Sequence, residues 1–164
     1  MKSYQILQDI FKNTFEQLKY AELKNGILLT LQIGIFYFIS TNIIVEYKNY
    51  FLCVLLTNIA ITLFSFFPNL NNYTFFNSKE NDTIKNLFFF ESIKHYNEKE
   101  YLALVLETVS DKDNKNNKLY LNITNQIITL SKITSKKYLL YKVSFWMFFI
   151  FGFSIIIFYF GGKL

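Results

Sequence analysis

The sequence predicts an all-α integral membrane protein with three transmembrane helices, a small helical cytoplasmic region, and a last span continuous with a long cytoplasmic helix. Three observations carry that prediction. The 164 residues are 52% apolar and 20% aromatic, which is too apolar for an ordinary small soluble domain. Three stretches, Gly26 to Val45, Phe51 to Phe67 and Val143 to Gly162, run uncharged for 20, 17 and 20 residues, against the roughly 20 that a spanning helix needs. Strong helix breakers are scarce, with 5 Gly and 1 Pro in the whole chain.

Each segment has its own justification. Residues 1–25 read as a cytoplasmic amphipathic helix whose apolar stripe is Leu7, Phe11, Phe15 and Leu18, packed on the cytoplasmic region or laid along the membrane. This mixed polar stretch precedes the first apolar run, and no small-residue cleavage site follows it, so the first span is expected to be an anchor and not a removed signal peptide. Residues 26–68 form a transmembrane hairpin with spans 26–45 and 51–67, the second closed by Pro68. A soluble bundle of core helices would fit three such uncharged runs poorly. An isolated charge costs on the order of 3 kcal/mol at mid-bilayer, so a membrane segment has reason to exclude charges that a soluble helix does not.

Residues 69–142 form the cytoplasmic helical region. It opens with an irregular, Asn- and Ser-rich stretch through Asp82. Asn97 followed by Glu100 is a helix-start signature, because Asn accepts from orphan backbone amides and Glu reaches back to the cap. A helix from about Glu98 to Val109 follows, and the charged, Asn-rich run from Asp111 to Lys118 reads as a turn. From Leu119 no Gly or Pro occurs until Gly152, and Ile123, Ile127 and Leu130 mark an apolar face. One continuous helix is therefore expected to run into the third span, residues 143–162.

Lysine placement sets the orientation. Residues 1–25 hold four Lys and residues 69–142 hold eleven, against Lys48 in the hairpin and Lys163 in the tail. The positive-inside rule puts the amino terminus and the long middle segment in the cytoplasm and the carboxyl terminus outside. Eleven Lys minus eight acids leaves the cytoplasmic region at +3, and four minus three leaves the N-terminal arm at +1. Neither is basic enough to indicate nucleic-acid binding. All 17 basic residues are Lys, a bias expected of an AT-rich genome.

Composition also excludes chemistry. One Cys, Cys53, forms no internal disulfide or Cys-based zinc site, and one His, His95, speaks against a His-rich metal centre or a Ser-His-Asp triad. No convincing nucleophile and base occur together, so the chain is expected not to be an enzyme and to hold no metal. The absence of carboxylates within the spans argues against proton-coupled transport.

The spans do carry uncharged polar faces. Gly26, Thr30 and Gly34 repeat every four residues, a small face on which another helix can approach, extended by Tyr37 and Thr41. Span two places Asn58, Thr62 and Ser65 on one face, and span one adds Gln32 and Asn42. Such side chains either line water, when several copies surround an axis, or hydrogen-bond between helices. One three-span protomer is too thin to enclose a pore, so a homo-oligomer such as a tetramer is expected. Lys136, Lys137 and Lys142 beside Tyr138, Tyr141 and Trp146 read first as interface anchors, with phosphate binding the alternative. Lys94 beside His95 is a second candidate phosphate site. Glu22 with Lys24 reads as a local ion pair.

Three patches resemble one known family. Ala21-Glu22-Leu23-Lys24-Asn25-Gly26-Ile27-Leu28-Leu29 resembles the Ala-Asp-x-Lys-Asn or Ala-Asp-x-Lys-Ala opening of Pycsar-type transmembrane effectors, with Glu22 where Asp is usual. Asn86-Leu87-Phe88-Phe89-Phe90 through Glu100-Tyr101-Leu102 is similar to their aromatic run and following helix. Asn125-Gln126-Ile127 through Ser131-Lys132-Ile133 to Lys136-Lys137-Tyr138 is similar to the helix entering their last span. The resemblance covers roughly residues 15 to 160 in the same order.

What the resemblance implies is a bacterial antiphage membrane effector, with relatives in CBASS-like and Hailong-type gene pairs. It would be an ion channel or pore gated by the nucleotide product of a neighbouring nucleotidyltransferase or cyclase, with that enzyme itself a second expected partner by direct binding. The regulatory ligand would be a cyclic mononucleotide, a cyclic oligonucleotide or a linear oligonucleotide, acting to open or to restrain. Opening would depolarise the membrane and cause growth arrest or abortive infection. The alternative is a membrane-anchored nucleotide-binding or partner-recruiting module that does not conduct.

Overall fold

A computed structural model describes residues 2–42, 48–67, 86–110 and 117–161. These form five helices and no strand: α1 Lys2–Asn42, α2 Lys48–Phe64, α3 Phe90–Ile93, α4 Glu98–Thr108 and α5 Lys118–Gly161. The loop expected through Asp82, most of the turn expected from Asp111, Glu46 and Tyr47 of the hairpin loop and the Asn42 side chain lie outside the described residues. Two helices, α1 and α5, are long and apolar enough to cross a membrane. The expected middle span corresponds to α2, apolar but only 17 residues long, or about 26 Å against a hydrocarbon core of about 30 Å.

Residues 1–25 and the first apolar run belong to a single helix, because no Gly-Pro or turn sequence separates them and Gly26 alone is tolerated in a helix interior. The second half of the chain behaves in the same way: α5 continues for 44 residues through its apolar end, as the absence of breakers predicts. The expected α4 is also present. Asn97 is its N-cap, its side chain accepting from the Glu100 backbone amide at 2.9 Å, and the helix stops where Ser110 takes a left-handed conformation, φ 58°.

The chain divides into two compact units, one of residues 1–20 and 69–135, the other of residues 21–68 and 136–164. α1 and α5 contribute to both. The first unit has a soluble-type core in which Leu7 and Ile10 of α1 meet Ile93 of α3, Tyr101, Leu102, Val105 and Leu106 of α4, and Tyr120, Ile127 and Ile128 of α5. Tyr4 stacks on Tyr120 with centroids 6.2 Å apart, and Tyr101 donates its hydroxyl to the Leu87 carbonyl. Burial, with a smaller contribution from Tyr96, holds the Tyr101 phenol well above the usual tyrosine range.

The buried stripe of α1 in this unit differs from the one expected. It consists of Ser3, Leu7, Ile10 and Thr14, whereas Phe15 is exposed and stacks on Phe11. Positions 3, 7, 10 and 14 follow the alternating four-three spacing of a helix seam. Two of the four are hydroxyl residues, so hydrophobic periodicity pointed to the neighbouring aromatic face instead.

In the second unit the arrangement is reversed. Ile39 of α1, Leu55 of α2 and Phe151 of α5 form a small apolar cluster, but most buried side chains are polar: Asn25, Gln32, Asn58, Thr62, Ser65 and Ser144, joined by Lys137. Large apolar side chains such as Leu23, Ile27, Leu31, Phe38, Phe149 and Phe153 face outward. An inward polar face with an outward apolar one is the distribution that lipid, as the outer solvent, stabilises.

Candidate functional site

The seam of α1 continues through the second unit at Ala21, Asn25, Leu28, Gln32 and Ile39, again at steps of four, three, four and seven. On α5, Lys137, Ser144 and Phe151 repeat every seven residues. These repeats bring α1 and α5 together with the polar face of α2, and the result is two polar levels.

The inner level is a four-residue network. The Gln32 amide nitrogen Nε2 donates to Ser144 Oγ at 3.0 Å and to Asn58 Oδ1 at 3.3 Å. Thr62 Oγ1 donates to Gln32 Oε1 at 2.9 Å, and Ser144 Oγ lies within hydrogen-bonding distance of both Thr62 Oγ1 and Asn58 Oδ1. All four residues are buried. Uncharged oxygen and nitrogen groups from three helices thus satisfy one another in a region otherwise apolar, where an unpaired polar group would be costly.

The outer level centres on Lys137. Its Nζ donates to the Ser65 carbonyl at 3.0 Å, lies 3.1 Å from Glu22 Oε1, and sits 5.7 Å from the Phe66 ring centroid. Ser65 follows the last helical residue of α2, so the ammonium serves a carbonyl at a helix C-terminus, where the helix dipole favours a cation. Asn25 Nδ2 donates to the Ala21 carbonyl at 2.9 Å and approaches the Lys137 carbonyl at 3.5 Å, while Asn25 Oδ1 is buried with no hydrogen-bond partner among the described residues. Lys24 Nζ lies over the rings of Tyr138 and Tyr141, 5.2 and 5.9 Å from their centroids. Residues two apart in a helix do not face each other, and the carboxylate of Glu22, expected to pair with Lys24, meets Lys137 of α5.

The candidate residues separate accordingly. Asn58 and Thr62 meet in the inner network and Ser65 in the outer level. Gly34 and Thr30 are exposed on α1, Gly26 is half-buried, and Thr30 Oγ1 donates back to the Gly26 carbonyl at 3.0 Å. A Cβ added at Gly26 or Gly34 would meet nothing within 4 Å. Ala21, Glu22, Lys24 and Asn25 all belong to the second unit, as do Lys136, which is half-buried, and Lys137. In the first unit, Asn125 and Gln126 are exposed on α5, Lys94 pairs with Glu91 and donates to Ser135 Oγ at 3.0 Å, and His95 is exposed. Ser144 is the participant that sequence reading overlooked. Its seven-residue spacing from Lys137 and Phe151 was the available signal.

The Pycsar effector protein domain matches the chain over residues 6–161. The chain belongs to the Pycsar effector family. Membership makes it an antiphage effector, and together with the two apolar helices α1 and α5 it gives the chain a membrane location. The match includes both units, so the soluble-type core and the polar levels are parts of one family domain. No curated protein and no solved structure matches the chain.

Proposed function

We propose that this Pycsar effector is an oligomeric ion channel or pore of the bacterial inner membrane, gated by a nucleotide-derived signal and lethal to an infected cell through depolarisation. The observation that carries this reading is the network of Gln32, Asn58, Thr62 and Ser144, uncharged polar groups gathered among helices whose outer faces are apolar. Polar side chains at membrane depth are costly and mark ion or substrate paths. Three helices enclose no channel, so the reading requires several copies and has α2 crossing as the third span, with the amino terminus in and the carboxyl terminus out. The signal is the product of a neighbouring nucleotidyltransferase or cyclase. The unit of residues 1–20 and 69–135, with Lys94 and His95, lies on the cytoplasmic side in this reading and receives that signal. Lys136 and Lys137 are the alternative contacts.

A second reading rests on one specific feature. The four network residues bond to one another within a single protomer, which equally suits helix packing in a membrane-anchored recruiting module. Ion flux in proteoliposomes separates the two. The channel reading expects flux that changes on adding a cyclic mononucleotide, a cyclic oligonucleotide or a linear oligonucleotide, and that falls when Asn58→Leu or Thr62→Leu is introduced with assembly intact. A protein that never conducts with any of these ligands, while capturing the signal enzyme, supports the recruiting module.

A further inference from the structure

Lys137 is the one charged side chain that is buried among the described residues. Its side chain is 8% exposed, whereas that of its carboxylate partner Glu22 is 47% exposed. The two halves of this pair therefore have very different alternatives. Glu22 can turn to water at little desolvation cost. Lys137 cannot be left without an anion, because a buried charge stripped of its partner is strongly destabilising. Any rearrangement of this unit that draws α1 away from α5 at this level must supply Lys137 with a replacement.

The surroundings indicate the chemistry of that replacement. Within residues 21–26 and 136–142 there are four lysines, Lys24, Lys136, Lys137 and Lys142, against the single carboxylate Glu22. The Lys137 ammonium holds the Ser65 carbonyl and one carboxylate oxygen at 3.0 and 3.1 Å, so an incoming oxyanion needs only to take the place of that oxygen. A phosphate group has the charge and the acceptor oxygens to do so, and an ammonium serves it as a point charge.

We propose that Lys137 is a phosphate site occupied in this structure by an internal competitor, the Glu22 carboxylate. Binding is an exchange of anions. The phosphate oxygen replaces Glu22 Oε1 on Lys137 Nζ, the freed carboxylate passes to solvent, and Lys137 remains paired throughout. The phosphate is either a lipid headgroup or a free phosphate such as that of a nucleotide. The site deepens the proposed gating by giving the signal or the lipid a place to act on the span unit, but its existence does not depend on conduction.

The test uses the full chain in nanodiscs and reads the thermal unfolding midpoint, which rises when a ligand binds the folded state. In phosphatidylcholine discs, inorganic phosphate is titrated against chloride at constant ionic strength; in a second arm, phosphatidylglycerol replaces part of the phosphatidylcholine and no free phosphate is added. Glu22→Gln removes the competitor and is expected to lower the half-saturating phosphate, or the phosphatidylglycerol fraction, several-fold. Lys137→Met is expected to abolish the response and Lys136→Met to retain it. A response in the first arm identifies free phosphate, and one confined to the second identifies the headgroup.

No response in either arm overturns the proposal. So does a loss in Lys136→Met equal to that in Lys137→Met, which would indicate a diffuse basic surface. If Lys137→Met does not fold, Glu22→Gln decides alone, and unchanged half-saturation sinks the site. A protein that shows the Lys137 response but never conducts ions would defeat the channel reading and leave the site standing.

Discussion

The unit of residues 1–20 and 69–135 buries Leu7, Ile10, Tyr101, Leu102 and Ile127, whereas the unit of residues 21–68 and 136–164 buries Gln32, Asn58, Thr62 and Ser144 and turns leucine and phenylalanine outward. The same two helices, α1 and α5, supply both interiors. Folding in water is driven by removing apolar surface from it. In hydrocarbon that driving force between helices is absent, and close packing with mutual satisfaction of polar groups takes its place. The contrast teaches that the solvent outside the helices decides which kind of side chain fills the interior between them.

Substitutions that act oppositely in the two units sharpen the comparison. The largest effect is expected for Leu102→Ala, which removes a fully buried side chain from the first core and should lower stability by about 4 kcal/mol, read from denaturant melts of the full chain in detergent. Next is a matched pair. Leu31 and Leu119 are each 54% exposed, but Leu31→Lys places a charge against lipid and should make insertion about 3 kcal/mol less favourable, whereas Leu119→Lys should change stability by less than about 0.5 kcal/mol. Equal membrane insertion of both variants would break the assignment of opposite solvents.

Smaller effects probe individual bonds. Ser144→Ala takes one hydroxyl from the inner network and is expected to cost about 1 kcal/mol, measured as a shift of the unfolding midpoint. Thr57, exposed on α2 with its hydroxyl bonded to the Cys53 carbonyl, is the control, and Thr57→Val should have no comparable effect. If the control costs as much, the network has no special place in packing.

The smallest effect is a pH dependence. The Tyr101 phenol is raised in the folded chain, so above the unfolded value of about 10 the unfolded state loses a proton that the folded state keeps. Stability from this group is complete below that pH and declines as pH rises through it. Tyr101→Phe should lessen the alkaline decline of the unfolding midpoint, while forfeiting about 1 kcal/mol at neutral pH for the bond to the Leu87 carbonyl.

Local features were legible in the sequence where a local cause fixes them. Asn97 and Glu100 announced the start of α4, and the run without Gly or Pro announced the continuity of α5. The amphipathic stripe of α1 was misread because Ser3 and Thr14 occupy seam positions that a hydrophobic pattern passes over. Within the site, Asn58, Thr62 and Ser65 were visible as one polar face of the apolar run 51–67. Their partners were not, since Gln32 and Ser144 stand 112 positions apart and nothing in the local sequence of either names the other.

The sequence by itself determined α4 and the continuity of α5, and the apolar character that suits a bilayer, but not the short α3 or the union of residues 1–25 with the first apolar run in α1, because backbone capping, breakers and side-chain transfer energies act within a few residues. Only the tertiary structure decided which polar groups are inward, that Ser144 completes the network, and that Glu22 serves Lys137 across the bundle. Those outcomes depend on how the helix seams mesh. A buried donor or acceptor takes whichever partner the meshing delivers, and that choice is made between residues far apart in the chain.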